Sequence, residues 1–381
     1  MQTRFTPDWS NELMMQKESA DVVVIGGGVR GLVTAYYLSK AGVDVAVLEK
    51  RFVGAGATGL NTGYANVSEK GPRHYTEFSK MSADMYPALN EELGGGIEYE
   101  RNGSLRIVET QAEWEAQAAT VAERNQVPGL SMQMLEIDEL RRLEPALASD
   151  LRGGSFCPID GSVNPLKFVR ALAQRAAQNG ARIHIGCEVA DIHVTAGRIE
   201  EVVTRQGRLA THVVVNAAGI HVPRIAAMVG LDVPVNAERG QLTITEALPR
   251  FMRRPIGPYT QFANGQVLIG VTNENVGENT GVTTAMIASR VRQALRILPV
   301  LKQATGIRCT AALRPMPPDR LPIYQKMDAV RDFYVTVGHS GITLAPVTGK
   351  VLADLITTGH TDIPLDPYRV ERFKPQGATA H

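Results

Sequence analysis

Five residues near the start of the chain, Asp21-Val-Val-Val-Ile25, run directly into Gly26-Gly27-Gly28-Val29-Arg30-Gly31. A short apolar run ending in glycine suits a strand buried on both faces. The glycines fit G-x-G-x-x-G at a strand-to-helix turn. Gly26 makes the turn, Gly28 lets a pyrophosphate approach the backbone, and Gly31 lets helix and strand pack closely. Leu32, Ala35, Tyr36 and Leu38 then fall on one side of a helix closed by Ala41-Gly42, and Val43 to Leu48 forms the next strand. A helix start of this kind offers free N–H groups and partial positive charge to phosphates, so Val29 and Arg30 join the glycines as candidate contacts. Glu49 ends the second strand. There its carboxylate can accept bonds from ribose hydroxyls while its charge disfavours a 2′-phosphate, and Lys50 stands beside it. The expectation is a Rossmann-like α/β unit that binds a dinucleotide; the motif alone does not separate FAD from NAD.

Bulk properties bound the remainder. At 381 residues the chain can hold two domains or one large compound one, with 44% hydrophobic and 21% charged residues. A formal net charge of +1 offers no footprint for nucleic acid. Cys157, Cys187 and Cys309 are far apart and form no C-x-x-C pair, so they read as small buried hydrophobes rather than metal or cluster ligands. No apolar stretch approaches the ~20 residues that span a bilayer. Residues 1–20 carry Asp8, Glu12, Lys17 and Glu18 and no apolar signal core, which reads as a loose lead-in and a cytoplasmic protein. Trp9, Leu13, Met14 and Met15 are the residues that would dock this segment on the protein or on a partner.

Further along, residues 52–66 are glycine-rich, which allows close backbone approach to a ligand. Tyr75 to Leu93 and Ala112 to Asn125 read as helices, with a strand at Ser104 to Val108 between them. Asn164 is a plausible N-cap ahead of Pro165, and Phe168, Leu172, Ala173 and Ala176 form an apolar stripe that stops at Gly180. Ile183 to Ile185 reads as a strand. Three strand-like runs follow, near Val189–Val194, Ile199–Thr204 and Thr211–Val215, separated by turn residues: a β-meander. Val235 to Thr245 and Gly265 to Val271 read as strands of a second sheet, and Thr283 to Leu298 as a helix. Phe333 to Val337 is a buried strand, and a helix runs from about Pro346 to Thr357.

Asn216-Ala217-Ala218-Gly219 after the meander, Arg239-Gly240-Gln241, Leu313-Arg314-Pro315, Pro318-Asp319 and Gly338-His339-Ser340-Gly341-Ile342-Thr343-Leu344-Ala345-Pro346 form a set. From about Asp21 to Arg372 the chain resembles the D-amino-acid oxidase superfamily. Within it, the chain is similar to the branch of glycine oxidase, sarcosine oxidase, hydrogen cyanide synthase and the flavin subunits of opine, proline and hydroxyproline dehydrogenases. The resemblance implies FAD. It implies a discontinuous FAD-binding domain (21–80, 150–224 and 327–372) with a β-meander, and a substrate domain (81–149 and 225–326) with a large mixed sheet. Residues 1–20 are then an N-terminal extension and 373–381 a tail. By position, Ala57, Thr58, Leu60, Asn61 and Thr62 contact the pyrophosphate or isoalloxazine, Val189 holds the adenine, and Ala217, Ala218 and Gly219 border the site. Gly338, Gly341, Ile342, Thr343 and Leu344 face the flavin pyrimidine ring, where a helix start stabilises the negative charge of reduced flavin. His221 stands where relatives often carry tryptophan, and Asn164 where they often carry aspartate. Some relatives attach their flavin through a cysteine; Ala312 occupies that place, so the FAD is expected to be non-covalent.

Arg314 matches the relatives' arginine that grips the substrate carboxylate, a task suited to the bidentate guanidinium fork. His339 lies in the flavin loop, and Tyr259 and Asn61 are further candidates for the substrate pocket. The implied reaction is oxidation of a C–N bond in an amino acid or secondary amine. Electrons pass either to O₂ or, in a multi-subunit dehydrogenase, to partner subunits with an FMN or iron–sulfur cluster in or at them. An FAD-bearing RNA-modifying protein and a non-catalytic flavoprotein share the fold; near-neutral charge argues against the first, and intact flavin motifs with Arg314 against the second.

Overall fold

The computed structural model describes residues 15–373. The expectations for Trp9, Leu13 and Met14, for the side chain of Met15 and for the tail after Phe373 lie outside the described residues. Strands Val22–Ile25, Val45–Glu49, Arg182–Ile185, Val213–Asn216 and Phe333–Val337 build a parallel sheet, and Ile323–Lys326 adds an antiparallel edge beside Phe333–Val337. Val22–Ile25 lies inside it, and its side chains alternate between two cores. Val22 and Val24 join Leu32 and Ala35 of helix Val29–Lys40 and Leu172 of helix Pro165–Gln178. Val23 and Ile25 join Ile192, Val202 and Leu209 on the opposite face. Each fully buried Val or Leu contributes about 1.5–3 kcal/mol relative to exposure, so both faces need the continuous apolar run seen in the sequence.

The opposite face is covered by the meander, Val189–Thr195, Arg198–Thr204 and Gly207–Ala210, with Met15–Ser19 paired in parallel on its outer strand. Two expectations change here. The end of the lead-in is a strand, and the third meander strand is Gly207–Ala210 rather than Thr211–Val215. At Thr211 the hydroxyl bonds the Asp21 and Val213 carbonyls and turns the chain. The Val213-Val-Val run is thereby released into the doubly buried parallel sheet.

The second unit is built on strands Tyr259–Gln261, Gln266–Ile269, Asn236–Ala247 and Gly306–Met316. A parallel bridge from Leu105 to Ile256 links it to Ser104–Val108, Gly153–Cys157 and Gln133–Glu136, giving one large mixed sheet. Helix Thr284–Ile297 packs on one face through Ala294 and Ile297. Gly306–Met316 escapes a pattern reading because Pro315 argues against a strand; it is an edge strand, where a missing N–H is tolerated. Asn164 caps its helix as expected, its Oδ1 accepting from Lys167 N–H at 3.2 Å. Cys157 and Cys187 are buried, but Cys309 is exposed on the outer end of that edge strand, against expectation. Among the described residues no helix is long and apolar enough to cross a membrane.

Candidate active site

The glycine turn has the geometry its spacing implies. Gly26 adopts φ +114°, and a Cβ there would stand 2.6 Å from the Ala217 carbonyl oxygen; a Cβ on Gly31 would overlap the Gly26 oxygen. No other residue fits either place. Gly26 N–H donates to Leu48 O at 2.9 Å, Gly27 N–H to Glu49 Oε2 at 2.8 Å and Val29 N–H to Thr58 Oγ1 at 3.1 Å. The N–H groups of Gly28, Arg30 and Gly31 find no protein acceptor among the described residues. Those three amides, at a helix start with no acid in its first turn, form a cradle for an anion. Glu49 Oε1 accepts from Arg51 N–H at 2.8 Å, so each carboxylate oxygen carries one backbone bond and keeps a lone pair for hydroxyls. Lys50 Nζ lies 2.8 Å from His221 Nε2. Burial first, and the Lys50 charge second, hold that imidazole below its ordinary range.

Two residues in this region do other work than expected. The Val29 amide is used by Thr58, as above. Arg30 is buried, and its guanidinium is spent on protein: Nη1 donates to Tyr324 Oη at 2.8 Å, Thr336 Oγ1 at 3.1 Å and Thr348 Oγ1 at 3.3 Å, and Nη2 to His339 O at 3.2 Å. Arg30 therefore ties the first helix to the C-terminal strand, loop and helix. Lys350 is exposed and pairs with Asp354.

The loop after Glu49 folds back on the glycine turn through the Thr58–Val29 bond. Ala57 and Thr58 sit in a short 3₁₀ turn, Ala57–Gly59, followed by half-buried Leu60. Asn61 donates to Ala57 O and Thr58 O and accepts from Gly63 N–H at 2.7 Å. Its amide holds the loop together, which is a correction to its expected place among the substrate contacts. Thr62 is buried; a Cβ on Gly270 of the second unit would come within 3.0 Å of its methyl. Val189 is buried at the first position of its strand. Ala217 N–H donates to Ile25 O at 2.9 Å, which brings Ala217, Ala218 and Gly219 over the turn.

The Gly338–Leu344 loop precedes helix Ala345–Thr357. A Cβ on Gly341 would stand 3.1 Å from Val29 Cγ1, so this loop lies against the first helix start. Tyr86 Oη donates to Ile342 O at 2.5 Å, Asn66 N–H to Thr343 Oγ1 at 3.1 Å and Leu344 N–H to Ser340 O at 2.9 Å. These bonds fix the loop by its other groups and leave the N–H groups of Gly341, Ile342 and Thr343 without a protein acceptor among the described residues. Two sets of free amides thus lie close together, one at each helix start, where backbone N–H groups and the helix dipole suit negatively charged groups.

On the second unit, Arg314 and Glu238 face each other across paired strands. Arg314 Nη1 donates to Glu238 Oε1 and to Asn273 Oδ1, each at 3.0 Å, and Nη2 to Thr272 O at 2.9 Å. Of the five donors of a guanidinium, the Nε–H and one Nη2–H stay available for a ligand. Arg320 Nη1 shares the same Glu238 at 2.9 Å. On the other face of the sheet, Arg239 and Gln241 bind Glu274, which Arg239 above all holds down at about 2. Arg239-Gly240-Gln241 therefore braces the 272–283 loop. His339 is exposed at the surface, with its Nδ1 3.0 Å from Ser340 Oγ. Desolvation by the protein groups around its ring first, then the charges of Lys70, Arg314, Arg320 and Arg30, push the proton affinity of its imidazole down.

Tyr259 is corrected. It pairs with Ile269, and both sit in the core beneath helix Thr284–Ile297, on the face away from Arg314. Burial pushes its hydroxyl to about 12. Sequence reasoning missed Asn66, whose Oδ1 is buried without a partner, and also Lys70, Glu238 and Arg320. None belongs to a motif; each gains meaning only from what the fold sets beside it.

A family model described as FAD dependent oxidoreductase matches residues 21–355. Hydrogen cyanide synthase subunit HcnC of Pseudomonas aeruginosa is 29% identical, over 94% of this chain and 97% of its own. An opine oxidase subunit of Rhizobium meliloti is 27% identical, over 94% of this chain and 99% of its own. The crystal structure of glycine oxidase from Geobacillus kaustophilus superposes with a TM-score of 0.89 at 27% identity, over 94% of this chain and 100% of that one.

Proposed function

We propose, from the premise that this chain belongs to the FAD dependent oxidoreductase family, that it oxidises the C–N bond of an amino acid or related secondary amine. The observation that carries the reading is the pair of free-amide sets, Gly28/Arg30/Gly31 and Gly341/Ile342/Thr343, on helix starts that Arg30 ties together. The first set would hold the pyrophosphate, with Glu49 on the ribose and Val189 beside the adenine. The second would face the pyrimidine ring, with Ala57 to Thr62 along the flavin. FAD, when bound, takes up the two electrons of the oxidation as a hydride at N5. Arg314 would orient the substrate carboxylate with its Nε–H and remaining Nη2–H. Neutral His339 borders the reacting centre without adding charge, and the amine sheds its proton before transfer. The imine product is then hydrolysed by water.

Ala312 leaves no thiol for covalent attachment at the place where some relatives carry one, so the FAD is held by these contacts alone. Acid precipitation should leave the yellow colour in the supernatant; a yellow pellet would overturn this. The wider test is an anaerobic screen of glycine, sarcosine, proline, D-amino acids and opines against the holoprotein. At least one should bleach the flavin, and if none does the C–N reading fails.

A second reading concerns the electron acceptor. Two relatives are named as subunits, which favours transfer to a partner carrying an FMN or iron–sulfur cluster over transfer to O₂. Peroxide released stoichiometrically with substrate by the isolated chain would exclude it.

A further inference from the structure

Arg320 is an unusual residue for its place. Its φ is +67°, in the left-handed region where glycine is free of strain and longer side chains are not. The turn that carries it is braced on several sides. Arg320 N–H donates to Pro317 O at 2.9 Å. Asp319 accepts from Leu321 N–H at 3.1 Å and from the Arg372 guanidinium at 2.7 and 3.1 Å. A Cβ on Gly338 would stand 2.7 Å from Pro322 Cα, so this turn packs against the head of the Gly338–Leu344 loop. A non-glycine residue held in this conformation points to a task for its side chain.

That side chain bonds a buried acid. Arg320 Nη1 donates to Glu238 Oε2 at 2.9 Å, and Nη2 donates to Oε1 at 3.4 Å. Glu238 is 6% exposed, and its Oε1 also accepts from Arg314 Nη1 at 3.0 Å. Among the described residues, these two guanidiniums are the cations paired with it. The cluster therefore holds two positive charges and one negative. Without Arg320, Arg314 and Glu238 would cancel. A buried carboxylate would then stand one guanidinium's width from any anion held by Arg314, and the two like charges would repel. With Arg320 in place, the cluster keeps one positive charge for a ligand.

We propose that Arg320 is a positioning residue for substrate binding: it neutralises Glu238, and this lets Arg314 hold a carboxylate. The proposal rests on the reading of Arg314 as the carboxylate anchor of a C–N oxidising flavin site. Arg320 acts through Glu238 and not by touching the substrate.

The test titrates acetate into the holoprotein and reads the perturbation of the bound flavin's absorbance. Arg320→Gly should weaken acetate binding about tenfold to fiftyfold, the size of one like-charge repulsion in a partly buried site. FAD content should stay at the wild-type level, because glycine suits φ +67° and the fold is not at risk. Arg320→Lys should keep part of the affinity. Combining Arg320→Gly with Glu238→Gln removes the repelling acid, so the double variant should bind acetate more tightly than Arg320→Gly alone. A purely structural role for Arg320 would give a further loss instead. Unchanged affinity in Arg320→Gly, or no recovery in the double variant, would overturn the proposal; the single variant decides even if the double one does not fold. If Arg320→Gly is unchanged while Arg314→Met loses acetate, only the role of Arg320 falls. If Arg314→Met also binds acetate as the wild type does, the reading of Arg314 as the anchor falls with it.

Discussion

Gly240 and Arg314 occupy one small space: a Cβ on Gly240 would overlap Arg314 Nη2 and stand 2.7 Å from its Cζ. The guanidinium lies over the bare backbone, and that position lets it reach Glu238 and the Thr272 carbonyl together. Gly240→Ala pushes the far end of a flexible side chain, so the fold should stand while the anchor moves. KM for carboxylate substrates should rise about tenfold to a hundredfold, one displaced charge-assisted bond's worth. FAD content should stay at the wild-type level. Steady-state kinetics with flavin quantitation checks both, and an unchanged KM would remove Arg314 from substrate binding.

In the proposed reading Glu49 takes the ribose hydroxyls while its oxygens keep the backbone bonds from Gly27 and Arg51. Glu49→Ala leaves the buried Gly27 N–H without its acceptor and removes the ribose contact. Apoprotein should bind FAD weaker by about 1–3 kcal/mol, roughly 5- to 150-fold. Flavin fluorescence titration measures this directly, and an unaltered Kd would contradict the assignment.

Arg30→Met tests a structural role rather than a cofactor contact. Its loss strips charge-assisted bonds from Tyr324, Thr336 and Thr348 and from the flavin loop at His339. Unfolding in denaturant should show a loss of about 2–4 kcal/mol. Arg30→Lys should recover only part of it, because an ammonium cannot span the same set of acceptors.

His339 predicts a pH dependence. Desolvation by the protein groups around its ring, with the cations Lys70, Arg314, Arg320 and Arg30 behind it, sets its folded-state pKa below the ordinary 6.5 although the residue keeps an exposed surface. Above that value the imidazole is neutral in both folded and unfolded chains and contributes nothing. As pH falls below it, the unfolded chain takes up a proton that the folded one refuses, so stability drops. The melting temperature of the wild type should therefore fall more steeply between about pH 7 and pH 5 than that of His339→Gln. Parallel curves would mean that the imidazole is protonated in the folded protein.

Much of the flavin end is legible in order along the chain. The turn at Gly26–Gly31, the acid at Glu49, the cap at Asn164 and the strand at Phe333 are local matters, set by backbone sterics, helix-end hydrogen bonding and side-chain period. These operate over a few residues, and so the sequence by itself determines the α/β class and the dinucleotide cradle. The third meander strand was displaced by a single hydroxyl turn at Thr211, which no periodicity records. Gly306–Met316 was hidden by a proline that only an edge position tolerates.

The substrate end was decided by tertiary structure. Arg314 is a motif residue, but that Glu238 would neutralise it and that Arg320 would share the same carboxylate depends on strand register. Tyr259 and Arg314 lie on opposite faces of one sheet, because a single-residue alternation governs where each side chain points. Lys70 is distant in sequence from His339, and nothing around it marks a ligand. Only the bond from Asn66 N–H to Thr343 Oγ1 brings the Asn66–Lys70 segment against the C-terminal loop. Charge matching is a sum over neighbours in space, and the chain order does not contain it.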